Sequence, residues 1–89
     1  MSCSRTLEIT NRRGLHARAS AKFVTLAAEL PAKVEVEKDG NRVCGTSIMG
    51  LMMLGAAMGD TIILHCDGEG CTDALNRLSA LVTERFGED

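Results

Sequence analysis

The sequence predicts an α+β domain: a four-stranded antiparallel sheet with three helices on one of its faces, in the order βαββαβα. Three observations carry this. Short segments alternate apolar and polar residues with period two. Two longer segments carry their apolar residues at helical spacing on one stripe only. Turn residues then join each segment to the next by a short connection. Strands with one apolar face and one-sided helices satisfy each other when the helices cover one side of the sheet. The 89 residues make a single domain, 1–89, with no room for a second core.

Thr6 to Thr10 alternate like a short strand, with Leu7 and Ile9 on one face. Ala17 to Leu30 have helical spacing, with Phe23, Leu26, Ala27 and Leu30 on one stripe. Ala32, Val34 and Val36 alternate with Lys33, Glu35 and Glu37, a half-buried strand. Lys38-Asp39-Gly40-Asn41 supplies a tight hairpin turn, and Arg42 to Gly45 return as a short strand. Ser47 caps a brief helix from Ile48 to Leu54, which Gly55 stops. Asp60 to Cys66, rich in Ile, Leu and Thr, forms a strand, and Asp67-Gly68-Glu69-Gly70 a turn. The last helix runs from Cys71 to Phe86, with Ala74, Leu75, Leu78, Leu81, Val82 and Phe86 on one face. Arg77, Arg85, Asn76, Ser79 and Glu84 cover its other face. Periodicity leaves the strand order open, and a ferredoxin-like sheet would give a nearly identical string.

Composition removes several function classes. A formal charge of −2 argues against broad electrostatic binding to nucleic acid or membranes. There is no Trp or Tyr, so stacking on single-stranded RNA lacks its platform. The longest uncharged apolar stretch, Ile48 to Gly59, is too short to span a bilayer and holds three glycines. No export signal follows Met1, which places the chain in the cytoplasm and makes Cys3, Cys44, Cys66 and Cys71 free thiols, two of them small core residues. Cys66 and Cys71, with His65 adjacent, do not have the spacing of a zinc pair, and no metal or cofactor is expected. His65 lies opposite in phase to Ile62 and Leu64, as a surface residue of its strand.

Gly14-Leu15-His16-Ala17-Arg18 is the segment that carries chemistry. It puts His16 at a strand-to-helix junction, at or beside the N-cap. Helix N-termini present unpaired N–H groups and partial positive charge, which attract phosphate. The N–H groups of Ala17 and Arg18 would face such an anion, and the Arg18 guanidinium adds forked donors that match phosphate oxygens. Imidazole titrates near neutrality, so a large neutral fraction can attack phosphorus. A histidine that accepts and passes on a phosphoryl group follows. The plain alternative is a small ferredoxin-like regulatory or interaction domain in which His16 is only a cap.

Over its whole length the chain resembles the HPr family, histidine phosphocarriers of the bacterial phosphoenolpyruvate-dependent phosphotransferase system. Gly14, His16 and Arg18 fit the family's Gly-x-His-x-Arg motif. Thr46-Ser47-Ile48-Met49-Gly50-Leu51-Met52-Met53-Leu54-Gly55 fits its second signature, around a serine before the short helix, at the family's spacing. Ala19 stands where the family commonly has Pro, and Arg13 where many members have a small polar residue. The resemblance implies an open-faced β-sandwich with strand order 1-4-2-3. It implies a phosphocarrier with a transient phosphohistidine rather than a stand-alone enzyme: Enzyme I phosphorylates Nδ1 of His16, and an EIIA-type protein receives the group. Leu7 to Asn11 and the acidic end Gly87-Glu88-Asp89 resemble the nitrogen-type, regulatory branch. The stretch from Ser47 to Gly50 resembles members controlled by phosphorylation of that serine by HPr kinase/phosphorylase. The downstream acceptor, and with it sugar uptake or nitrogen-type regulation, stays open.

A carrier serving unlike proteins needs an adaptable surface around His16, and methionine suits it. Leu15, Lys22, Ile48, Met49, Met52 and Met53 are the candidates for partner binding, on a monomer. Leu51 and Leu54 are expected to face inward, Met49 and Met52 outward. Lys22 is equally read as a partner contact or as an ordinary solvated lysine.

Overall fold

The computed structural model describes residues 1–88; Asp89, the last residue of the acidic end, lies outside the described residues. The elements run β1 (Ser2–Glu8), α1 (Ala17–Glu29), β2 (Lys33–Lys38), β3 (Asn41–Cys44), α2 (Ile48–Met53), β4 (Thr61–Asp67) and α3 (Cys71–Thr83), closed by a 3-10 turn at Arg85–Gly87. The sheet is antiparallel throughout, in the order β1-β4-β2-β3. A ferredoxin-like sheet would set β1 beside β3 in parallel. Here β1 pairs with β4 alone, so that alternative falls.

Val34 and Val36 of β2, with Ile62, Leu64 and Cys66 of β4, are buried on the helix-covered face. Their alternation is why both strands sit within a residue of the expected bounds. Phe23 and Ala27 of α1 and Ala74, Leu78 and Val82 of α3 close over them. Each large side chain buried in this way contributes roughly 1.5–3 kcal/mol. The other face of the sheet stays polar: His65 Nε2 lies 2.7 Å from Glu37 Oε1, and Arg42 donates to Glu35 Oε1 at 2.7 Å.

Three differences from the sequence reading have physical causes. β1 begins at Ser2, not Thr6, because the polar residues Ser2 to Arg5 are recruited by pairing with Leu64 to Asp67 of β4. Ser79 is buried, not exposed, because Arg5 reaches across from β1 and donates to its Oγ at 3.1 Å. α3 stops at Thr83: Arg85 and Phe86 take left-handed backbone conformations, φ 59° and 54°, and this reversal drops Phe86 into the core.

The cysteine expectation is corrected in part. Cys66 and Cys71 are core residues and Cys44 is an exposed thiol, but Cys3 and Cys71 are disulfide-paired. Cys3 sits opposite Cys66 in the β1–β4 register, at the end of the sheet where α3 begins, so its side chain meets the first residue of that helix. Burial pushes the Cys66 thiol up from its ordinary pKa. Among the described residues no helix is long and apolar enough to cross a membrane, and no group of three or more His, Cys, Asp and Glu is placed to hold a metal ion.

Candidate functional site

The segment between β1 and α1 is pinned before it reaches His16. Ile9 N–H donates to Asp60 O and Gly59 N–H donates to Ile9 O, both at 2.8 Å. Gly14 turns the chain with φ +61°, and Leu15 N–H then donates to Ala56 O at 2.9 Å. A Cβ on Gly14 would stand 2.2 Å from that same Ala56 oxygen, so the two loops touch where only glycine fits. Leu15 is carried into the core, 5% exposed. Its expected place on the docking surface is therefore wrong: the left-handed turn and the Ala56 hydrogen bond aim its side chain inward.

His16 is the N-cap of α1, as expected, with extended backbone and its carbonyl accepting from Ser20 N–H at 2.9 Å. Its side chain makes no capping hydrogen bond. The N–H groups of Ala17, Arg18 and Ala19 precede that first helical bond, and so stand at the open end of the helix. The imidazole instead turns toward the C-terminal turn, where Nε2 lies 2.5 Å from Glu88 Oε2. An ionised carboxylate only accepts, so Nε2 carries the proton, and in the neutral ring Nδ1 holds the lone pair.

Asn11 and Glu88 were not singled out from the sequence, yet they complete the site. Asn11 is fully buried and donates from Nδ2 to Gly14 O at 2.8 Å and to Glu88 Oε1 at 3.1 Å. Desolvation pushes the Glu88 carboxyl upward, but hydrogen bonds from Asn11 and His16 and the nearby His16 and Lys22 charges outweigh it, and its pKa lies below the usual value. No local pattern announces either contact. The contacts to Glu88 depend on a terminal turn that helical periodicity alone would continue as α3.

Arg18 is exposed and makes no hydrogen bond or ion pair among the described residues. With Arg12, Arg13, Lys22, Gly87 and Glu88 it lines a shallow hollow beside the imidazole, so four cationic side chains gather there on a chain of net charge −2. Lys22 is tied to the turn, its Nζ donating to Phe86 O at 2.7 Å.

Ser47 is the N-cap of α2, and its Oγ accepts from Gly50 N–H at 2.9 Å. α2 packs beside α1. Leu51 is buried and Leu54 packs against the core, while Ile48, Met49, Met52 and Met53 are exposed, Met49 at 72% and Met53 at 80%. Met58, on the loop after α2, is exposed as well and extends the set beyond those read from the sequence.

The family profile described as "PTS HPr component phosphorylation site" matches residues 3–84. The phosphocarrier protein HPr of Cupriavidus necator is 45% identical over 84 residues, covering 94% of each chain. The phosphocarrier protein NPr of Shewanella violacea is 38% identical over 84 residues, covering 94% of this chain and 92% of its own. In three dimensions the chain is similar to the crystal structure of HPr from Thermoanaerobacter tengcongensis, with a TM-score of 0.93, 39% identity and 98% of both chains covered. On this likeness across sequence and fold, the chain belongs to the HPr family of phosphocarriers of the phosphotransferase system.

Proposed function

We propose that this chain carries a phosphoryl group on Nδ1 of His16, taking it from phosphorylated Enzyme I and giving it to an EIIA-type protein. The observation that carries the reading is the His16 ring: it stands at a helix N-cap without capping it, with Nε2 engaged by Glu88 and Nδ1 making no hydrogen bond among the described residues. A cap-only role would use the side chain on the helix N–H groups, and it does not. The site is exposed enough for two proteins to reach in turn, and it offers a few N–H donors and one fork rather than a closed cage. Such a site holds a phosphoryl group without trapping it. Incubation with phosphoenolpyruvate and Enzyme I is expected to add one phosphate per chain, labile to acid and stable to base. No mass gain would overturn the reading. Pull-down of the EIIA-type protein would separate sugar uptake from nitrogen-type regulation.

Arg18 supplies the fork that meets the phosphoryl oxygens during transfer. Arg18→Ala is expected to slow phosphorylation by about 10²-fold, the scale of removing one preorganised donor to developing charge. Arg18→Lys recovers only part of the rate, because an ammonium lacks the two parallel donors. Equal rates in stopped-flow transfer for all three proteins would leave Arg18 as a helix surface residue.

Ser47 is a regulatory site in this reading. Phosphate at the N-cap faces the positive end of α2, so the helix holds. The added charge acts instead on docking, beside Ile48, Met49 and Met52. Ser47→Asp is expected to keep the fold and cut the rate of phosphorylation by Enzyme I about tenfold, from like-charge repulsion against an acidic partner. Ser47→Ala loses the Gly50 N–H bond and about 1 kcal/mol of stability, but keeps the rate. Equal rates for the two folded variants would reduce Ser47 to a cap.

A further inference from the structure

We propose that Glu88 is a positioning residue for His16: its carboxylate fixes the Nε2–H tautomer and aims the Nδ1 lone pair at the incoming phosphorus. This rests on the phosphocarrier reading above.

The carboxylate is held at both oxygens. Oε2 meets His16 Nε2, and Oε1 accepts from Asn11, itself anchored to Gly14 O. The backbone that delivers it is fixed as well. Phe86 is 1% exposed in the core, Lys22 holds the Phe86 carbonyl, and Glu88 N–H donates to Arg85 O at 2.9 Å. Two consecutive left-handed residues without glycine, Arg85 and Phe86, make this turn costly to form. Such a conformation persists only where its surroundings over-determine it, and it clusters where geometry serves function. Here it sets a carboxylate against the nitrogen opposite the nucleophile. Arg12, Arg13, Arg18 and Lys22 line the same hollow, and the Lys22 charge favours the ionised form of Glu88.

In the transfer, the Nδ1 lone pair forms the N–P bond while the bond from phosphorus to the donor breaks, its electron pair leaving on the donor. No proton needs to move. The ring keeps its Nε2 proton and becomes cationic, and the Glu88 carboxylate faces that charge. In transfer onward a lone pair of the acceptor protein's nucleophile forms the new bond to phosphorus while the N–P bond breaks and its pair returns to Nδ1.

The test reads the ring before it reads the rate. In ¹⁵N-edited spectra of the unphosphorylated full chain, neutral His16 is expected as the Nε2–H tautomer. Glu88→Ala is expected to mix in the Nδ1–H form and to slow phosphorylation by Enzyme I about tenfold or more, the scale of a lost orienting contact. Glu88→Gln keeps an acceptor oxygen and no charge; the tautomer should stay, with a rate between the two. Backbone amide spectra confirm that each variant is folded. An unchanged tautomer in Glu88→Ala overturns the proposal, and so does a changed tautomer with an unchanged rate. If the wild-type chain takes up no phosphate at all, the carrier reading fails, while the ring spectra still report on the Glu88–His16 contact.

Discussion

His16→Ala yields a folded protein that takes up no phosphate. The imidazole is half-buried at a loop–helix junction and touches Glu88 rather than the core, so removing it costs about the value of one hydrogen bond, roughly 1–3 kcal/mol for a charged partner. The chemistry has no substitute. The other histidine, His65, lies on the polar face of the sheet against Glu37, and His65→Ala should leave transfer unchanged. Intact mass after incubation with phosphoenolpyruvate and Enzyme I, with a thermal melt alongside, measures both halves of the expectation. Retained phosphorylation in His16→Ala would move the nucleophile elsewhere.

Gly14→Ala produces the largest expected loss of stability from a single methyl group. The new Cβ would meet two backbone atoms, Ala56 O at 2.2 Å and Ala57 Cα at 2.9 Å, neither of which can rotate away. The left-handed backbone adds its own strain. Together these cost about 3 kcal/mol or more, enough in a chain of this size to lower Tm by more than about 10 °C. Phosphorylation should fall too, since the loop that separates sets the entry of α1 and with it the His16 ring. Gly40→Ala is the control. It has φ +85° and open space around the Cβ, so it isolates backbone strain from the clash. Similar melting temperatures for the two variants would show that the contact between the loops is not what holds the site.

The sequence shows the parts of this molecule whose causes are local. β2 and β4 declare themselves because one face of each is buried against helices and the other is not. The polar start of β1 does not, since Ser2 to Arg5 become a strand only through backbone pairing with β4. Strand order has no signature in periodicity, and here it was accessible only by resemblance. The helix N-caps His16 and Ser47 were legible because turn and cap chemistry is written within a few residues. Leu15 was misplaced because its direction depends on Ala56, which lies on a different loop. Cys3 and Cys71 meet across 68 residues, a proximity set by sheet register rather than by spacing. Asn11 and Glu88 are separated by 77 residues and joined by a turn that breaks the helical pattern.

The C-terminal turn also sets when the site exists. The His16–Glu88 contact spans 72 residues. Helix α1 and its N-cap can form from neighbouring residues, but the carboxylate arrives only after the sheet has brought the end of the chain alongside the beginning, and contacts of such long range come late. In the folded protein the order reverses. A terminal turn held by one buried ring and a few hydrogen bonds opens more readily than the strands beneath it. Amide exchange at Gly87 and Glu88 would then report the fraction of time for which the imidazole is oriented.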